Sequence, residues 1–215
     1  MPICSGCHKE LSGQQLLSPR LGGYVDNVIS CVEYNGIIMK CLHLFKYKKC
    51  RDMMSEFLWI IERFIALYPS ILDGVDLLVP VPISRERFRS RGYNQSAILA
   101  YGLSRTLGKP LLTDILRKTV NTSSQMGLSR EKRVKNLRGS FTVTSSEQIY
   151  GRTVLLTDDV ITTGATIETC SKELLAKGAK QVIGFTLARV LRDLSSRKML
   201  PLYAIVPLLQ LQLFS

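Results

Sequence analysis

Apolar positions recur along this chain with two periods, and the change between them outlines its elements. Ile37, Ile38, Cys41, Leu42 and Phe45 fall on one face of a helix, and Met54, Phe57, Leu58, Ile61 and Ile65 do the same after Asp52, a suitable N-cap. The pattern then shortens. Leu77-Leu78-Val79-Pro80-Val81-Pro82 is a compact apolar run closed by prolines, which predicts a buried strand ending near Pro80. Beyond an arginine-rich loop, Leu99, Leu103 and Leu107 repeat every four residues in a helix ended by Gly108 and Pro110. Residues 117–138 are basic and lack apolar periodicity, so a long mobile loop is expected. Val154-Leu155-Leu156-Thr157 predicts a second strand, and Ile167, Cys170, Ser171, Leu174 and Leu175 a helix closed by Gly178. Val182 to Leu187 gives a third strand. Strands alternating with helices, joined by right-handed crossovers, predict an α/β fold with a parallel sheet flanked by helices.

The ends read differently. Residues 1–30 are polar and glycine-rich after Cys4-Ser5-Gly6-Cys7 and suggest a small cysteine-containing appendage, leaving residues 31–215 as the main domain. The tail from Leu200 to Ser215 carries no charge but is broken by Pro201 and Pro207; a final strand, a homodimer contact and an irregular end all suit it.

Composition narrows the class. The chain has 215 residues, 46% hydrophobic and 21% charged, an ordinary folded composition that excludes a disordered tail protein. No apolar run approaches the roughly 18 residues that a spanning helix needs. The start, Met1-Pro2-Ile3-Cys4, lacks the basic and apolar segments of a signal peptide. Six cysteines without an export signal read as thiols or metal ligands, not as a disulfide framework. The expectation is a cytoplasmic protein that avoids membranes.

Charge adds a direction. The net charge is +12, and residues 84–138 hold 13 basic against 3 acidic side chains, net +10. Arg85, Arg87, Arg89 and Arg91 alternate, and Arg130, Lys132, Arg133, Lys135 and Arg138 cluster. A block of one sign attracts polyanions, whether phosphorylated small molecules or nucleic acid. A merely solubilising surface would intersperse both signs.

The segment that carries chemistry is Val154-Leu155-Leu156-Thr157-Asp158-Asp159-Val160-Ile161-Thr162-Thr163-Gly164-Ala165-Thr166. A buried strand delivers two acids at its C-terminal end, where open α/β sheets bind ligands. The turn from Thr162 to Thr166 then opens a helix, so its amides and hydroxyls suit a phosphate, and Gly164 permits close approach. The adjacent carboxylates suit sugar hydroxyls or a hydrated Mg²⁺. Neither a P-loop nor a G-x-G-x-x-G fingerprint occurs.

These thirteen residues resemble the phosphoribosyl-pyrophosphate (PRPP) signature of type I phosphoribosyltransferases. Further segments make the chain similar to the ComF/GntX competence-protein family: His43-Leu44-Phe45-Lys46-Tyr47, Val79-Pro80-Val81-Pro82 with Arg89-Ser90-Arg91-Gly92-Tyr93-Asn94-Gln95, Gln125-Met126-Gly127-Leu128-Ser129-Arg130, and Asn136-Leu137-Arg138-Gly139-Ser140-Phe141. The resemblance spans about residues 30–190. It implies a type I phosphoribosyltransferase fold and a PRPP site. In some members it also implies handling of single-stranded DNA during natural transformation, with a DNA-uptake helicase as a partner. Carried across, Asp158 and Asp159 hold the ribose hydroxyls directly or through Mg²⁺, and Thr162, Thr163, Gly164, Ala165 and Thr166 bind the 5′-phosphate. The turn after Pro82, with Arg85, Arg87, Arg89 and Arg91, matches the pyrophosphate loop. Residues 119–135, with Gln125 and Arg130, match a hood that closes over PRPP and neutralises the departing pyrophosphate.

Two departures qualify the resemblance. Thr162 stands where purine transferases often carry an aspartate base, which argues against purine salvage by that route. The family usually opens with a four-cysteine zinc ribbon, whereas only Cys4-x-x-Cys7 is present. Either half a ribbon remains, or Zn²⁺ is completed by Cys31 or a partner; His8 adjoins Cys7 awkwardly for chelation. Cys41 and Cys170 lie on apolar faces and read as core, and His43 lies off that face. Two functions follow. One is Mg²⁺-dependent transfer of a 5-phosphoribosyl group from PRPP with release of pyrophosphate, catalysed around Asp158 and Asp159. The other is a non-catalytic module that binds single-stranded DNA or a helicase, for which the basic block offers only Phe88, Tyr93 and Tyr101 as stacking surfaces.

Overall fold

The computed structural model describes residues 17–18, 24–25, 27–34, 36–47, 53–119 and 139–190. Its main sheet has the order β1-β2-β7-β6-β3. These strands are β1 (Leu17–Ser18), β2 (Asn27–Glu33), β3 (Leu77–Pro80), β6 (Thr153–Ile161) and β7 (Gln181–Arg189). All neighbours pair in parallel except β1 with β2. A separate antiparallel ribbon joins β4 (Leu116–Lys118) to β5 (Phe141–Val143). The predicted parallel sheet is therefore present, with helices on both faces.

On one face lie α1 (Gly36–Tyr47), α2 (Met53–Leu67) and α4 (Gln95–Leu107). Phe45, Phe57, Ile61, Phe64, Leu99 and Leu103 from these helices pack with Ile29, Leu155 and Phe185 of the sheet. The opposite face is covered by α5 (Ala165–Ala176), whose Ile167, Cys170 and Leu174 meet Val154, Leu156 and Val182. Each such Leu or Ile, fully buried, contributes about 1.5–3 kcal/mol. The α5 layer lies close: a Cβ added at Gly184 would come within 3.0 Å of Val28 and 3.2 Å of Ile167. Cys41 and Cys170 are core residues, as expected, and His43 is exposed.

Three local expectations change. The arginine-rich stretch is the helix α3 (Arg85–Arg91), capped by Ser84, whose hydroxyl accepts the Arg87 amide, and closed by Gly92 at φ 81°. It buries no residue, so it gave no apolar period. Residues 27–33 are a core strand with five consecutive buried residues, so the boundary drawn at residue 30 falls inside β2. The stretch from 117 begins as ordered β-structure in β4, whose antiparallel partner β5 the sequence pattern did not single out. Residues 120–138, most of the expected loop and hood, and the tail from 200 lie outside the described residues.

Candidate functional site

β3 ends beside the middle of β6, with Pro80 opposite Thr157, while β6 runs on to Ile161, and each strand feeds into a segment singled out by sequence. After β3 comes α3; after β6 comes the turn that starts α5. In that turn Thr163 bends its hydroxyl inward to accept the Ala165 amide at 3.4 Å. Gly164 takes φ 79°, a left-handed conformation that side-chain-bearing residues disfavour. The first intrahelical bond runs from the Glu168 amide to the Gly164 carbonyl. Helical geometry therefore leaves the Thr166 and Ile167 amides without intrahelical acceptors, at the positive end of the helix dipole. A concavity opens here, lined by Asp158 and residues 160–167.

Asp158 and Asp159 are consecutive on β6, so the pleat sends their side chains to opposite faces. Asp158 Oδ1 accepts the Ser96 hydroxyl at 2.8 Å and the Asp159 amide at 2.9 Å. Asp159 Oδ2 lies 2.6 Å from Lys46 Nζ on the last turn of α1. Burial pushes the Asp158 carboxyl up and the Asp159 charge adds to it. The Ser96 hydroxyl, the Lys46 charge and the Asp159 amide offset only part, leaving it at about 7. Burial by itself lowers the Lys46 ammonium. The charge and hydrogen bond of Asp159, with the charge of Asp158 behind them, outweigh that and hold it above its usual value.

One short segment assembles this arrangement. The Tyr93 hydroxyl donates to the Phe45 carbonyl, next to Lys46, and fastens the end of α1. Asn94 caps α4 by accepting the Ser96 amide at 3.1 Å while its Nδ2 donates to the Val81 carbonyl just past β3, at 3.0 Å. Gln95 accepts from Arg91 at 3.1 Å, tying α3 to α4. Residues 93–96 thus hold α1, β3, α3 and β6 in register around the acids.

The structure gathers Asp158, Thr163, Gly164, Ala165 and Thr166 around the concavity, with Thr162 exposed beside them. Asp159 stands on the other face of the strand. Arg85, Arg87 and Arg89 are exposed on α3, and Arg91 is half-buried toward α4. Lys118 at the base of the ribbon lies over the Phe141 ring, 5.5 Å from its centre; burial and the charge of Arg87 lower its ammonium. Gln125, Arg130, Cys4 and Cys7 lie outside the described residues. Cys31 is buried on β2, and burial pushes its thiol up.

Sequence reasoning named neither Lys46 nor Ser96 as site residues. Both stood in or beside segments noted for resemblance, and neither carries a local signal of its partner. Among the described residues no three acids, histidines or cysteines cluster, so a cation would rest on Asp158 and on oxygens of the ligand. That suits Mg²⁺, which is held by one or two carboxylates together with phosphate oxygens.

Comparison with known proteins agrees with this geometry. Residues 94–204 match the phosphoribosyl transferase domain family. Competence protein F of Haemophilus influenzae is 39% identical over 208 residues, covering 87% of this chain and 90% of that protein. DNA utilization protein YhgH of Escherichia coli K12 is 30% identical, covering 88% and 91%. Competence protein ComFC of Bacillus subtilis is 32% identical over 163 residues, covering 74% of this chain and 63% of that protein. A strand that carries an acid pair near its end, a glycine turn that opens a helix, and this extent of identity place the chain in the ComF family, built on the type I phosphoribosyltransferase fold.

Proposed function

We propose that the protein binds PRPP and transfers its 5-phosphoribosyl group, releasing pyrophosphate, within the handling of incoming DNA for which its relatives are named. The observation that carries this reading is that Asp158 and the amide-rich turn 162–167 face one concavity at the C-terminal edge of the sheet. The turn receives the 5′-phosphate on its helix amides, and Asp158 receives the sugar hydroxyls. The bond from C1 to the pyrophosphate oxygen breaks with its electron pair leaving on pyrophosphate, and the acceptor nucleophile bonds to C1. Arg87 and Lys118, whose charges oppose one another without a ligand, suit the departing anion. Asp158 would hold Mg²⁺, which would supply positive charge to offset that of the departing pyrophosphate.

Calorimetric titration of PRPP with and without Mg²⁺, on the wild type and Asp158→Asn, tests the reading. Mg²⁺-dependent binding that disappears in the variant supports it, and a folded wild type that binds no PRPP overturns it.

A second reading, a surface for single-stranded DNA, is favoured by α3. That helix buries nothing, and its Phe88 is 52% exposed between Arg87 and Arg89. Arginine beside an exposed ring suits phosphates and unstacked bases. Replacing Arg85, Arg87 and Arg89 by Gln then weakens binding of single-stranded DNA and flattens its salt dependence by about 0.7 per lost phosphate contact. Unchanged affinity and salt slope would remove this reading.

A further inference from the structure

We propose that Gln95 positions Arg91 for the pyrophosphate of PRPP: its neutral amide oxygen holds the guanidinium without cancelling the arginine's charge. Gln95 is on this view a positioning residue that acts through Arg91. The inference rests on the PRPP reading above and adds to it the side chain that aims one of the four arginines of α3.

Arg85, Arg87 and Arg89 are exposed, whereas Arg91 is half-buried and donates from its guanidinium to Gln95 Oε1 at 3.1 Å. Gln95 opens α4 and is 1% exposed, so this acceptor is anchored in the core and not at the surface. The next residue, Ser96, bonds Asp158 at 2.8 Å. The guanidinium is therefore tied to the same helix turn that meets the ligand-facing acid. Arg91 can only donate, so its bond requires the oxygen of the Gln95 amide and turns Nε2 away. That buried Nε2 has no hydrogen-bond partner among the described residues. A buried donor without an acceptor costs stability, and a methionine of similar shape would avoid the cost. Packing alone does not account for an amide here.

Anion binding does account for it. Glutamate at the head of α4 would bond Arg91 more strongly and suit the helix dipole, but it would neutralise the guanidinium. A departing anion is stabilised by positive charge held in place beforehand. Glutamine supplies the hold and leaves the charge.

The test is calorimetry with PRPP and Mg²⁺, and with ribose 5-phosphate, which lacks the pyrophosphate. The proteins are the wild type, Gln95→Met, Gln95→Glu, Arg91→Gln and the double variant Gln95→Met/Arg91→Gln, with thermal melts to establish folding. Gln95→Met and Gln95→Glu are each expected to bind PRPP about tenfold more weakly, yet ribose 5-phosphate within about twofold of the wild type. Arg91→Gln is expected to lose at least as much PRPP affinity. The double variant should lose no more than Arg91→Gln, because the amide acts through the arginine. Losses that add in the double variant, or equal loss of both ligands, overturn the inference while leaving the PRPP reading standing. So does either Gln95 variant, folded, that binds PRPP as the wild type does; one of the two decides the matter if the other fails to fold. A wild type that binds no PRPP overturns that reading, and the inference with it, before any variant is compared.

Discussion

The Ser96 hydroxyl donates to Asp158 Oδ1 across 62 positions of sequence, joining the first turn of α4 to the acid end of β6. Because the hydroxyl bonds the carboxylate, it favours the charged form and holds the Asp158 carboxyl lower than burial alone would leave it. Ser96→Ala is therefore expected to raise that carboxyl further. The loss of a hydrogen bond to a charged group, about 1.5–3 kcal/mol, appears as weaker PRPP binding near neutral pH. Titrating PRPP binding against pH checks this: the rise in affinity with pH should move to higher pH in the variant.

Asp158 also makes stability depend on pH. Its carboxyl sits at about 7 in the fold, against about 4 in an unfolded chain. Between those values the folded protein keeps a proton that the unfolded chain has lost. The stability contributed by that proton is complete below about pH 4 and is lost as the pH rises through about 7. Asp158→Asn removes the titration. Thermal melts should show the variant gaining on the wild type from pH 5 to pH 8; an equal difference at the two pH values would contradict this account.

Gly164 heads α5 at φ 79°. Gly164→Ala places a Cβ in a backbone region that costs about 1–2 kcal/mol, and relief of that strain turns the amides of the next residues away from the concavity. A lowered melting temperature together with loss of ribose 5-phosphate or PRPP binding is expected. A variant that melts lower but binds normally would show that the turn does not hold the phosphate.

Tyr93 reaches from the segment before α4 to the carbonyl of Phe45, and its ring packs 5.4 Å from the Phe45 ring. Tyr93→Phe keeps the ring and removes one hydrogen bond from the Phe45 carbonyl, a loss of about 0.5–1.5 kcal/mol. Because that carbonyl adjoins Lys46, hydrogen exchange should quicken in the last turn of α1 more than in α5. Uniform quickening would indicate general destabilisation only.

Much of this protein is written locally. The runs Leu77–Pro80, Val154–Thr157 and Val182–Leu187 announced buried strands, and the faces of α1, α2, α4 and α5 were legible from apolar spacing, because burial against a sheet demands those periods. The acid pair and the Thr162–Thr166 turn were legible for the same reason: strand, turn and helix start are consecutive in the chain. The α3 helix escaped because no side chain on it is buried, although Ser84 and Gly92 were its cap signals. The β2 strand escaped because its apolar run, Val28 to Val32, was taken into a polar terminal segment. Sequence alone marked the central strands, the four larger helices and the turn that joins β6 to α5. Only the tertiary structure decided that Ser96 meets Asp158 and Lys46 meets Asp159. Those partners are brought together by sheet order and crossover, and the pleat gives two neighbouring acids opposite surroundings that no local pattern encodes.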